Sequence, residues 1–582
     1  MIIRAQILTG VTGGYRHLIE QMARHQYRNG HATAKPWLTP IGMFGRVSSP
    51  HNTGMSSPAP RHPTTLLVML LILAACTGGA TGTTPTTTTP TTRTSTVTTS
   101  TSEVATTIKE TLSDALMETT CPDDFQASPG GAVICAYLTV PEDRSEADGR
   151  QIRLFVARWR PAGDLTPDPL LGFDELGWAL HTPEPGGGPT APVGYGGEVI
   201  QLNVRGTGRS EPSLACPEVE DEIASSLSAA SDDPEAWDGF LKAVGSCHDR
   251  LVGEGIDLAD YNMAEAAADA EDLRIALGVD QWNLRGFGTG ARYAFEIIRR
   301  YPESVRAAYL DTPEAPQRDL LSTAIVGTRL ALRELTEACA SDPVCDQAFP
   351  DLGGVIEASM LENAENPDQD LQTHEGIDVP LVWDDALQLR AIREALTWTP
   401  ELIPSAFFTT TVGNDYWIAN GPAFLFGYIP DEDSPVFDFS HGAFFSTLCR
   451  DQLAFVDQTD LTTLAEGHPS YIKAFANAPF FEMCRVWDVG TAPSEVHQPV
   501  TSDVPVLLLV GRFGPYAPRP LVDEIAETLS SSFIVELPNE GHNTLSTLCV
   551  RDIRNAWLDN PTSPPDASSC LADHPAIEFA GT

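Results

Sequence analysis

Arg285-Gly286-Phe287-Gly288-Thr289-Gly290 has the glycine spacing of a nucleophile elbow but no nucleophile. A short apolar run, Trp282 to Leu284, precedes it, and a helical stretch, Ala291 to Tyr301, follows. A strand–Gly-x-Ser-x-Gly–helix turn exposes a serine hydroxyl for attack on an acyl carbon. Here the serine position is Gly288, which has no side chain. Such chemistry also needs a base to take the hydroxyl proton and an acid to orient the base. His542, in Asn539-Glu540-Gly541-His542, is the candidate base. Thr289 is adjacent to the empty position, but the elbow aims only one residue at the substrate. Its hydroxyl is expected to bond local backbone at the helix start. Asp311, after the next strand, is a candidate displaced acid for His542. A base and an acid without a nucleophile could still activate water. Otherwise His542 simply lines a pocket or a surface loop.

The elements needed to position these residues alternate along the chain, as an α/β fold requires. Ile152 to Trp159, Glu198 to Val204, Trp282 to Leu284, Ala307 to Leu310 and Phe533 to Leu537 read as strands, and Ala264 to Leu277 as a helix. Val504 to Val510 is continuously apolar, as in a strand buried on both faces of a parallel sheet. Between about 316 and 498 the alternation stops. Helical stretches such as Ser322 to Ala340 and aromatics around Tyr416 to Tyr428 suggest an inserted, mainly helical lid. The expected division is an α/β core at 108–315 and 499–582, with the lid at 316–498.

The first part of the chain is of a different kind. Arg61 and His62 precede the apolar run Leu66 to Ala75, too short to span a bilayer, which takes about 20 residues, but suited to a signal peptide. The run ends Leu73-Ala74-Ala75-Cys76, which resembles the bacterial lipobox. Cys76 is then the expected lipidation site, and the mature protein an exported one held to the outer face of the cell membrane. Residues 55–75 would be the signal peptide. It begins at Met55, so 1–54 reads as a mis-called start. Residues 76–107 are almost all Thr, Ser, Gly and Pro and cannot bury apolar surface, which predicts a disordered tether.

The charge is strongly negative: 79 Asp and Glu against 36 Lys and Arg, a net −43 over 582 residues. Such a surface repels nucleic acid and anionic headgroups, so membrane contact is expected through the anchor only. Apart from Cys76 there are ten cysteines, an even number in an exported chain. Sequence leaves their connectivity open. Pairing nearest neighbours gives Cys121–Cys135, Cys216–Cys247, Cys339–Cys345, Cys449–Cys484 and Cys549–Cys570. No Cys or His cluster has zinc spacing, so neither a metal nor a cofactor is expected.

Several ordered segments carry a family resemblance. They include Cys135-Ala136-Tyr137-Leu138-Thr139-Val140-Pro141-Glu142-Asp143, Arg205-Gly206-Thr207-Gly208-Arg209-Ser210, Tyr301-Pro302-Glu303-Ser304-Val305-Arg306 ahead of Leu310-Asp311, Gly541-His542, and Pro564-Pro565-Asp566 with Cys570. Over roughly 121–571 the chain resembles secreted actinobacterial α/β-hydrolases of the proline-iminopeptidase and tripeptidyl-aminopeptidase type. The resemblance implies a mostly parallel central sheet flanked by helices, and peptidase or esterase chemistry. It also implies that Ser210, in a turn where the family has a serine of no catalytic role, does no chemistry here.

The resemblance locates further departures. The family's acid lies in a Gly-x-x-Asp-Pro pattern, which here reads Gly511-Arg512-Phe513-Gly514-Pro515, so the acid position is Gly514. The family's Gly-Gly-Pro-Gly oxyanion loop is replaced by Gly172-Phe173-Asp174-Glu175-Leu176-Gly177-Trp178, whose carboxylates would oppose a developing oxyanion. With serine, acid and oxyanion loop altered in separate places, the chain reads as a pseudo-hydrolase that binds a peptide or small molecule. A hydrolase rebuilt around His542 and water, and a structural scaffold, are the alternatives. The helix start beyond the elbow offers N–H groups and its dipole to an anion. Thr289, Gly290 and Arg292, with Asp174 and Glu175, are the candidate ligand contacts.

Overall fold

The computed structural model describes residues 112–582 apart from 124, 126–129, 147, 164, 179–194, 375–376, 409–438, 477–478, 543, 545–546, 575 and 582. The chain divides into Met1–Thr94 and a compact unit, Ser95–Thr582. The expected signal peptide, Cys76, the tether and the aromatics at 416–428 lie outside the described residues.

The compact unit is built on nine strands: β1 Leu116–Thr119, β2 Ala132–Pro141, β3 Gln151–Arg160, β4 Thr166–Phe173, β5 Gly197–Leu202, β6 Trp282–Phe287, β7 Val305–Asp311, β10 Val506–Gly511 and β11 Ser532–Leu537. Their spatial order is β1-β2-β3-β5-β4-β6-β7-β10-β11. From β5 to β11 every pairing is parallel, and the edge from β1 to β5 is antiparallel. The run Val506-Leu507-Leu508-Leu509-Val510 explains the centre of this sheet. Val506, Leu508 and Val510 join one apolar cluster, Leu507 and Leu509 the other, and all five are fully buried. A strand apolar on both faces needs cover on both. The helices Met263–Leu277 (α1) and Ala291–Arg300 (α2) supply it on the first face, through Ala267, Ala270, Leu273, Ala294 and Ile298. The start of α1 is set by Asn262, whose Oδ1 accepts the Glu265 N–H at 3.0 Å, and its end by left-handed Gly278.

The segment between β7 and β10 contributes no strand to this sheet among the described residues. It holds the helices Leu320–Ser341 (α3) and Asp385–Trp398 (α4), capped by Asp319 and Asp384, and shorter helices including Pro469–Phe475 and Phe480–Trp487. It also holds an antiparallel pair, β8 Asp368–His374 and β9 Ile377–Trp383, which the helical pattern did not predict. Five disulfides join Cys121–Cys135, Cys216–Cys247, Cys339–Cys345, Cys449–Cys484 and Cys549–Cys570, each between neighbouring cysteines. No described helix is long and apolar enough to cross a membrane.

The parallel strands β4, β6, β7 and β10 all run the same way. Their carboxyl ends, Phe173, Phe287, Asp311 and Gly511, therefore meet at one end of the sheet, where ligands of open α/β sheets bind.

Candidate functional site

The elbow keeps its backbone. After β6 the chain turns through Gly288–Gly290 into α2, and Gly288 has φ +54°, the left-handed conformation. Close approach demands the flanking glycines. A Cβ on Gly286 would lie 2.5 Å from the Ala291 Cα, and one on Gly290 would lie 2.2 Å from the Asp174 carbonyl oxygen. The turn is thus shaped for a side chain at 288 that the sequence does not provide.

A different residue takes the space. A Cβ built on Gly288 would fall 2.3 Å from Glu175 Oε1 and 3.1 Å from His542 Nε2. Glu175 Oε1 itself lies 3.1 Å from His542 Nε2. The carboxylate of Glu175 therefore stands beside the base, where the serine side chain would stand. Glu175 had been a candidate ligand contact, and it does point into the site. Its partner, however, is the protein's own histidine.

His542 is held firmly. Its backbone N–H donates to the Thr397 carbonyl at 2.9 Å, and its ring packs against Tyr516 and Phe287, with centroids at 4.4 and 4.7 Å. It is only 2% exposed, so it is not a surface-loop histidine. Its Nδ1 has no hydrogen-bond partner among the described residues. The position that would supply one, Gly514, lies beside the preceding residue: a Cβ there would be 3.0 Å from the Gly541 carbonyl oxygen. Asp311 does not replace the missing acid, since His542 Nδ1 is unpartnered among the described residues and Asp311 Oδ1 accepts from the Thr544 hydroxyl at 2.5 Å.

The altered loop after β4 is closed as well. The Leu176 N–H donates to Thr289 Oγ1 at 2.8 Å, and the Trp178 N–H to the Glu175 carbonyl at 3.1 Å. These amides are committed within the protein and do not face a developing oxyanion. Ser210 serves a turn, accepting from the Phe155 N–H and donating to the Asn203 carbonyl.

Four expected ligand contacts have other work. Thr289 anchors the loop through Leu176. Gly290 is buried against the Asp174 carbonyl. Asp174 Oδ1 pairs with Arg285 Nη1 at 2.8 Å on β6. Arg292 is turned inward. It donates to the carbonyls of Ala315, Pro316 and Arg318 at 2.6–3.1 Å and lies 3.5 Å from Glu314. The anion site expected at the helix start is filled by the loop and by the protein's own carboxylates.

Residues not singled out in the sequence complete the surroundings. Glu314 follows β7, and its N–H donates to the Gly288 carbonyl at 3.2 Å. Its carboxyl is buried, which pushes its pKa up to about 7, with Arg292 opposing and Glu175 adding to the rise. Burial likewise raises Glu394 to about 8, against the pull of Arg393. The Arg393 guanidinium lies 3.8 Å over the Tyr516 ring, which itself packs on His542. The only advance signal for Glu314 was its place just past the carboxyl end of a central strand. Glu394 and Arg393, on α4, gave none.

The raised Glu314 pKa has a measurable consequence. A carboxyl more basic in the folded chain stabilises the fold fully below its unfolded pKa, about 4.5, and that stability is lost as pH rises through about 7. Melting temperature is therefore expected to fall between pH 4.5 and 7 less steeply in Glu314→Gln than in the parent. Equal slopes in a calorimetric pH series would rule this out.

The comparisons with known proteins agree with this geometry. Residues 194–334, containing the elbow, match a family model described as alpha/beta hydrolase fold, and residues 468–570, containing Gly514 and His542, match one described as TAP-like protein. The chain is 25% identical over 253 residues to the serine protease Hip1 of Mycobacterium tuberculosis and of Mycobacterium bovis, a match covering 41% of this chain. It spans about half, 48%, of those relatives' length. Solved structures similar to it include a proline iminopeptidase from Mycobacterium smegmatis (14% identity, 73% of this chain and 98% of that one, TM-score 0.32). A thermophilic esterase from Thermogutta terrifontis is another (13% identity, 73% and 99%, TM-score 0.30). At that identity and TM-score, neither speaks to activity. The parallel sheet, the elbow and the two matched segments give this chain the α/β-hydrolase fold, with similarity to the TAP-like family over residues 468–570.

Proposed function

We propose that this chain is an exported, lipid-anchored member of that family that binds a peptide or small molecule and does not hydrolyse it. The observation that carries the reading is the Glu175 carboxylate, which stands in the serine's place with its Oε1 3.1 Å from the His542 nitrogen that would face a nucleophile. Acyl transfer needs that nitrogen to accept a hydroxyl proton. Here it meets a carboxylate, which has no such proton when ionised. The opposite ring nitrogen lacks an orienting acid, and the Leu176 and Trp178 amides of the altered loop are engaged elsewhere. Each loss alone is costly; together they leave no route to an acyl-enzyme. Export and lipidation at Cys76 rest on the sequence of residues 55–76.

The test is turnover of a panel of aminoacyl and short-acyl chromogenic substrates by the unit Ser95–Thr582, beside its His542→Ala variant. Neither is expected to exceed the buffer rate. Turnover that disappears in His542→Ala would overturn the reading and make the protein a hydrolase with a rebuilt site.

A further inference from the structure

A recess lies between α3, α4 and the helices Pro469–Phe475 and Phe480–Trp487. Its cavity volume is about 80 Å³. Its walls are mostly apolar: Leu320, Leu321 and Ala324 from α3 face Phe475 and Phe480. The polar groups are Arg390, Arg393 and Glu394 of α4. The two arginines differ. Arg390 spends its Nε on the Ala474 carbonyl at 2.8 Å. Arg393 Nε and Nη2 are buried and have no hydrogen-bond partner among the described residues.

The Arg393 guanidinium is nonetheless well placed. It is stacked 3.8 Å over Tyr516 and lies 5.5 Å from the Phe475 ring centroid. Stacking fixes its plane and leaves its edge donors for something else. Arginine stays charged in proteins, and buried donors without an acceptor are costly. A ligand that returned a carboxylate to that edge would recover a charge-assisted, two-pronged bond. The raised pKa values of Glu394 and Glu314 mean that neither carboxyl fully neutralises Arg393 near pH 7.

We propose that this recess binds an amphiphilic monocarboxylate, its carboxylate on Arg393 and its apolar chain between Leu321, Ala324, Phe475 and Phe480. Two sources share that chemistry: a medium-chain acyl carboxylate and the C-terminus of a peptide ending in an apolar residue. This proposal rests on the reading of the chain as a ligand-binding protein, but not on the elbow being inactive.

Calorimetric titration of Ser95–Thr582 at pH 7 with octanoate, N-acetyl-leucine, octanol and octylamine tests it. One of the two carboxylates is expected to bind at least about 10-fold tighter than octanol, as loss of one charge-assisted pair implies, and octylamine not at all. The tighter carboxylate identifies the source. Arg393→Gln should lose that 10-fold preference, and Arg393→Lys should keep part of it. Octanol or octylamine binding as tightly as the carboxylates, no binding by any probe, or undiminished carboxylate binding in Arg393→Gln would overturn the assignment. Should Arg393→Gln not fold, Ala324→Phe fills the recess from the opposite helix, and carboxylate binding retained there would overturn it equally. The same preparation is assayed for hydrolysis. Turnover would remove the inactive reading while leaving Arg393 assigned, and absent carboxylate binding would do the reverse.

Discussion

Gly288→Ser combined with Glu175→Gly and Gly514→Asp is expected to create a serine that reacts with a fluorophosphonate probe, whereas Gly288→Ser alone is not. The elbow backbone already holds φ +54° at 288, so the new side chain would enter the orientation the turn is built for. A non-glycine residue there costs about 1–2 kcal/mol, which a domain of this size can bear. The obstacle is Glu175. A serine Cβ would arrive 2.3 Å from Glu175 Oε1. That oxygen ends a flexible side chain and can swing aside, but its charge stays beside His542 and beside the site of any developing oxyanion. Removing it frees Nε2 and opens the loop. Gly514→Asp then offers Nδ1 its orienting acid, provided the Gly541 carbonyl, 3.0 Å from the new Cβ, yields by a few tenths of an ångström. Loss of the serine costs about 10⁶-fold in a working hydrolase, and a triad restored beneath an altered oxyanion loop should recover only part, on the order of 10²–10³-fold in ester turnover over the parent. Labelling of Gly288→Ser as fast as that of the triple variant would show that Glu175 obstructs nothing.

Gly511→Ala is expected to destabilise the fold by about 3 kcal/mol, near the upper end for overpacked sites. The added Cβ would lie 1.7 Å from the Gly541 carbonyl oxygen and 2.8 Å from that of Glu540. Both are backbone atoms, so no rotamer change relieves the contact. Here the end of β10 crosses the loop carrying His542, whose own amide is bonded to Thr397. The substitution must push that loop away or bend the central strand. The urea midpoint should fall accordingly, with a clearly smaller fall in Gly514→Ala, where the contact is 3.0 Å. A Gly511→Ala protein as stable as its parent would mean that the strand end and the histidine loop do not cross this closely.

Both arguments turn on contacts that join distant parts of the chain, and these were the least visible in the sequence. Asp174 and Glu175 are adjacent acids, equally suspicious when read along the chain. One pairs with Arg285, and the other crosses to a histidine 367 residues away. A loop's side-chain directions are set by what packs around it, not by local periodicity. Arg292 looked like an anion contact one turn into a helix. It is buried because α2 is covered on nearly every side, and it donates to three carbonyls of the loop after β7.

What the sequence determined by itself was everything carried by short-range pattern: the parallel core strands, from apolar runs; the elbow, from its glycines; the absent serine, from the residue at 288. Cysteine pairing, which the sequence left open, follows chain order in the structure. Only the tertiary structure decided which group stands in the serine's place, which acids share the site with it, and which arginine is left without a partner. Those outcomes depend on side chains brought together across the carboxyl ends of separate strands, and no local pattern encodes where such side chains meet.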